Sequence, residues 1–141
     1  MDKNRLEQLR NKNKIYMSYK QWSRNELLQD CLQVLSDVQL VDTEQDISHI
    51  GHLMCERFPI NEYRHIDGAY ELSRDEIDFL PDQKYYILWD DKSLPVIKCS
   101  GKTMLKCLDD IVAVSFDTYI FSDNFSEIIH SDDTGTMWRY F

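Results

Sequence analysis

Apolar positions follow two different grammars along the chain. Up to about residue 81 they recur at helical spacing, and from Lys84 they come as short runs rich in β-branched and aromatic residues. Leu6, Leu9, Tyr16 and Met17, set among Lys, Arg and Asn, predict an N-terminal helix. Ser23 followed by Glu26 is a capping-box pattern, in which each side chain satisfies a backbone donor of the other residue. It opens a helix whose apolar face is Leu27, Leu28, Cys31, Leu32, Val34, Leu35 and Val38. A second helix is expected after Thr43, with Ile47, Ile50, Leu53, Met54 and Phe58 on its buried side and Pro59 as its stop. The pattern fades between residues 60 and 83, where only the Ser73 and Glu76 pair marks a short helix before Pro81.

The runs expected to be strands cover residues 85–89, 95–99, 112–116, 119–121, 125–130 and 136–140, with a short helix between 101 and 109 carried by Met104, Leu105 and Leu108. Asp132, Asp133, Thr134 and Gly135 supply turn chemistry between the last two runs, which predicts a terminal antiparallel hairpin. Helices first and strands later predict an α+β fold, with N-terminal helices packed on a C-terminal, mainly antiparallel β-sheet. No repeat or linker divides the chain, so residues 1–141 read as a single domain, helical over about 1–81 and β-rich over about 84–141.

Composition bounds the class. With 141 residues, 43% hydrophobic and 29% charged, the chain can bury one core without staples. Its longest clean apolar run, residues 111–114, is far short of the roughly 20 residues that a membrane helix needs, so no membrane partner is expected. The N-terminal stretch carries Asp2, Lys3, Asn4, Arg5, Glu7, Gln8 and Arg10 without an apolar block, which argues against a secretory signal and for a cytoplasmic location. In that setting Cys31, Cys55, Cys99 and Cys107, irregularly spaced and with no C-x-x-C pair, read as free thiols.

Charge is distributed unevenly. Residues 1–36 hold seven basic and four acidic side chains, residues 37–82 three and twelve, and residues 83–141 six and nine, so the net −9 is concentrated in the middle. Such a surface repels phosphate backbones, disfavouring direct nucleic-acid binding, and steers a basic protein partner toward it.

Patterns that could carry chemistry have structural readings beside them. Ser100, Gly101, Lys102 and Thr103 end like a phosphate-binding loop, but Val96 stands where that pattern needs its first glycine. His49, His52 and Cys55 offer metal-binding donors on the second helix, yet steps of three rotate them around it, away from the apolar stripe, and exposed side chains explain them better. The pairs Asp90–Asp91, Asp109–Asp110 and Asp132–Asp133 could divide acid and base roles. Each falls at an expected strand end or turn, where Asp is favoured for its local hydrogen bonds. No Ser or Cys sits in a nucleophile pattern. No catalytic residue, metal site or cofactor is therefore assigned, and the chain is expected not to be an enzyme.

Aromatic residues crowd the β-rich part: Tyr85, Tyr86, Trp89, Tyr119, Phe121, Phe125, Trp138, Tyr140 and Phe141. Most are expected in the core. Alternation leaves some facing outward, and Trp138 and Tyr140 on the closing hairpin are the preferred partner-binding anchors.

The stretch LPVIKCSGKTMLKCLDDIVAVSFDTYIFSDNFSEIIHSDDTGTMWRY, residues 94–140, resembles the C-terminal part of immunity proteins from bacterial contact-dependent growth inhibition and polymorphic-toxin systems. The shared features are a strand, a short helix, a further strand and a closing hairpin with a polar turn and an aromatic end. The resemblance implies an antidote that binds the C-terminal domain of its cognate toxin, often a basic nuclease, with room for a third, host protein in the complex. The acidity agrees, because nuclease toxins need cationic surfaces that an acidic protein can mask. Partner binding is therefore expected at Glu62, Asp67, Glu71, Asp75, Glu76, Asp78 and Asp82, together with Trp138 and Tyr140. Two other readings stand beside this one: a small hydrolase using a carboxylate pair, and an adaptor or regulatory domain for a host protein.

Overall fold

The computed structural model describes residues 26–91 and 93–141; the expected helix around Leu6 to Met17 and the Ser23 cap lie outside them. In chain order the elements are α1 (Glu26–Val34), β1 (Gln39–Val41), α2 (Glu44–Arg57), β2 (Tyr70–Leu72), a 3-10 turn (Arg74–Glu76), β3 (Lys84–Trp89), β4 (Val96–Ser100), α3 (Gly101–Val112), β5 (Thr118–Ser122), β6 (Ile128–Ser131) and β7 (Met137–Tyr140). The strands form one sheet in the order β1-β4-β3-β5-β6-β7-β2, with every neighbouring pair antiparallel. The fold is α+β, as expected.

Side-chain alternation sends two apolar sets to opposite faces of the sheet. Leu28, Cys31 and Leu32 of α1 and Met104, Cys107 and Ile111 of α3 pack with Tyr85, Ile87, Trp89, Ile97 and Cys99 on one face. Ile50 and Met54 of α2, followed by Phe58 and Ile66, pack with Val96, Tyr119, Phe121 and Ile128 on the other. Because both faces are covered, every residue of β5 and β6 is buried, unlike the in-out alternation of an antiparallel sheet with one wet face.

Local chemistry explains most boundaries. Thr43 caps α2 by accepting from the Asp46 amide at 3.2 Å, acids occupy the first turn and Arg57 the last, and Phe58 ends the helix before Pro59. The first helix stops at Val34 rather than running on to Val38, and the chain enters β1 instead. The strand expected over residues 112–116 does not form. Met104, Cys107, Leu108 and Ile111 make one continuous buried face, which carries α3 to Val112, and the Trp89 indole N–H donates to the Ile111 carbonyl at 2.9 Å. The run expected from Phe125 becomes strand only at Ile128. Phe125 has φ 57°, and the Ser122 Oγ accepts from the Ser126 and Glu127 amides, which makes residues 123–127 a turn.

Candidate functional site

The segment from Pro59 to Gln83 wraps around the β2 edge of the sheet. On the α2 side it folds back on itself through an Ile60–Ile66 bridge. Asn61 organises that loop, its Oδ1 accepting from the Tyr63 and His65 amides at 2.9 and 3.2 Å and its Nδ2 donating to Asp67 at 2.9 Å. The segment then supplies β2, turns at Ser73, whose amide donates to Glu76 Oε1 at 3.0 Å, and continues along the opposite face. There Phe79 is buried against Tyr85, with ring centroids 5.1 Å apart, and the Tyr85 hydroxyl accepts from the Leu80 amide at 3.0 Å.

Glu62, Asp67, Glu71, Asp75, Glu76, Asp78 and Asp82 are all exposed and strung along this one ribbon. Its two cations point elsewhere: Arg64 pairs with Asp90 at the end of β3, and Arg74 pairs with Asp109 on α3. Among the described residues no cation pairs with Glu62, Glu71, Asp75, Asp78 or Asp82. The ribbon therefore presents carboxylates to solvent while its own positive charge is used to fasten it to the fold.

Trp138 and Tyr140 are half-buried and brace the ribbon. The Trp138 indole N–H donates to Asp132 at 3.0 Å, and its ring meets His65 edge-on at 4.7 Å. The Tyr140 ring lies against Phe58 and beside Gly68, which adopts φ 80°. Among the described residues, the aromatic rings left in water are Tyr63, Tyr70, Phe116 and Phe141. Sequence alternation could not single these out, since loop and edge placement decides their exposure.

The other sequence patterns have structural occupants. At the start of α3, where a phosphate would sit in a nucleotide-binding loop, the Asp37 carboxylate accepts from the Ser100 amide at 3.0 Å and from the Thr103 hydroxyl at 2.5 Å. Burial pushes this carboxyl up, but the bonds from Thr103, Ser100 and Lys84 outweigh it and bring it down to about 2. A Cβ on Gly101 would lie 1.9 Å from the Leu80 carbonyl oxygen, so this glycine serves a close backbone approach.

The three aspartate pairs do not converge. Asp91 accepts from Ser93, Asp132 accepts from the Thr134 and Thr136 amides, and Asp109 and Asp110 lie in the last turn of α3 rather than at a strand end. Asp109 borders a hollow of about 180 Å³ with Arg74, Ile77, Leu105, Lys106 and Leu108, and Asp110 is not part of its lining. His49, His52 and Cys55 are exposed, and among the described residues no three His, Cys, Asp or Glu side chains lie close enough together to hold a metal ion. No helix among them is long and apolar enough to cross a membrane. Burial pushes the Cys31 and Cys99 thiols up to about 12, which leaves them protonated and unreactive.

The family model described as CdiI immunity protein, EcoliA0-like, matches residues 25–138, from the start of α1 into β7. The chain belongs to this CdiI immunity protein family. No curated protein matches it. The match extends well beyond residues 94–140, where the resemblance was read, and includes the whole acidic ribbon. Membership gives the protein the role of an immunity protein, a toxin inhibitor.

Proposed function

We propose that this immunity protein neutralises the C-terminal domain of its cognate toxin, a basic nuclease, by direct binding along the Pro59 to Gln83 ribbon. One observation carries the reading: the ribbon's cations, Arg64 and Arg74, are paired with Asp90 and Asp109, while among the described residues no cation pairs with Glu62, Glu71, Asp75, Asp78 or Asp82. A surface so charged attracts the cationic groove that a nuclease uses to hold its substrate, and masks it without any chemistry of its own. The inhibitor acts in the cytoplasm, as a non-enzymatic binder, before the toxin reaches nucleic acid. Glu62, Asp67, Glu71, Asp75, Glu76, Asp78 and Asp82 supply the field, and Trp138 and Tyr140 hold the ribbon in place from behind.

Coexpression with the toxin domain encoded beside this chain tests the reading. Cells survive, and purified toxin stops cleaving RNA or DNA when the immunity protein is added at equal concentration. Equal killing with and without this chain contradicts the neutralising role, and a toxin that cleaves no nucleic acid contradicts its nuclease character alone.

A further inference from the structure

Residues 74–83 of the ribbon run antiparallel to α3. Arg74 pairs with Asp109, Ile77 shares a hollow with Leu105 and Leu108, the Pro81 carbonyl accepts from the Lys102 amide at 3.2 Å, and the Gln83 carbonyl accepts from the Gly101 amide at 2.8 Å. Along the extended stretch after the 3-10 turn the side chains alternate. Ile77 and Phe79 pack against the core, which leaves Asp78 and Leu80 facing out. On α3, Leu105 and Lys106 follow Lys102 by three and four residues, so the three share one exposed side of the helix.

The result is a face with an apolar seam between stripes of opposite charge. Leu80 and Leu105, 62% and 47% exposed, stand on the two sides of the seam. Asp78 and Asp82 lie on the ribbon side, and Lys102 and Lys106 on the helix side. Among the described residues, no cation pairs with Asp78 or Asp82 and no carboxylate pairs with Lys102 or Lys106. A basic surface fits this face poorly, because the two lysines repel it. A second copy fits it well. A twofold axis along the seam lays the ribbon of one copy over α3 of the other, so that each acidic stripe meets lysines and the leucines meet each other.

We propose that this face joins two copies of the chain in a symmetric dimer, with Asp78 and Asp82 of each over Lys102 and Lys106 of the other and Leu80 and Leu105 desolvated between them. The dimer does not depend on the toxin-binding reading. Asp78 and Asp82 also belong to the surface proposed for the toxin, so the dimer is the toxin-free form and gives way when toxin binds. The net charge of −9 opposes self-association, so the dimer forms only at high protein concentration.

Sedimentation of the purified full chain without toxin, over a range of concentrations up to about 1 mM, tests the proposal. The wild type is expected to pass from monomer to dimer. Asp78→Lys with Asp82→Lys, and separately Lys102→Glu with Lys106→Glu, should each weaken the dimer about tenfold or more, and the four changes together should restore it, because both stripes are then exchanged. Leu80→Asp should abolish it. Circular dichroism confirms that each variant is folded, and if Leu80→Asp is not, the charge series still decides. A wild type that stays monomeric overturns the proposal, and if Leu80→Asp then weakens toxin binding, the face belongs to the toxin. A dimer that none of these changes weakens forms through another face and overturns it equally.

Discussion

Glu127 and Arg139 form a shielded ion pair beneath the α1 and α3 side of the sheet, with side chains 12% and 16% exposed. The second carboxylate oxygen of Glu127 accepts from the Tyr85 hydroxyl at 3.3 Å, which joins the pair to the core. Removing one member leaves the other buried without a partner, so Glu127→Ala is expected to lose about 3 kcal/mol or more in urea unfolding. Replacing both by apolar residues, as in Glu127→Leu with Arg139→Met, should cost less than the single change. A single variant of unchanged stability would show that the pair is not buried as described.

Gly101 gives a prediction whose sign opposes helix propensity. In an exposed helix, Gly→Ala stabilises by about 1 kcal/mol. Here the added Cβ would lie 1.9 Å from the Leu80 carbonyl oxygen, so Gly101→Ala must push the ribbon away from α3 and is expected to destabilise by about 2 kcal/mol. Thermal unfolding distinguishes the two signs directly.

Asp37 ties the α1 to β1 connection to the start of α3. Its carboxyl, ordinarily at 3.8, is held at about 2, so the folded form binds its proton less readily than the unfolded chain. The stabilisation is therefore complete above about pH 4 and is lost as the pH falls from there toward 2. Asp37→Ala is expected to cost about 1 kcal/mol at neutral pH, in the range of a lost helix cap. The difference from wild type should shrink on acidification, and a difference constant down to pH 2 would refute the assignment.

How much of this was legible in the sequence depended on how local the cause was. The Thr43 cap, the Pro59 stop and the Asp132 turn act within a few residues, and each was readable from residue type. The edge strands β1 and β2 were not, because three residues carry too little alternation and both form by pairing with distant strands. The run at Val112 read as β because it is branched, but burial of the α3 face overrode that preference. Acidity of the ribbon was visible as a charge count. That Arg64 and Arg74 turn away from it was not, since their partners Asp90 and Asp109 are remote in sequence. The contacts by which Trp138 and Tyr140 brace the ribbon, to His65, Phe58 and Gly68, join residues remote in sequence and could be seen only in the fold.

Association kinetics with the cognate toxin domain, followed across a range of salt, test most directly whether the acidic ribbon carries recognition. Asp75 and Asp78 are suitable for reversal to lysine because both are exposed and neither pairs with a cation among the described residues, whereas Glu76 caps Ser73. The wild type should associate fast at low salt and slow steeply as salt rises, and the double reversal should associate about tenfold more slowly with a flatter salt dependence. Identical rates and identical salt slopes for the two proteins would contradict the account.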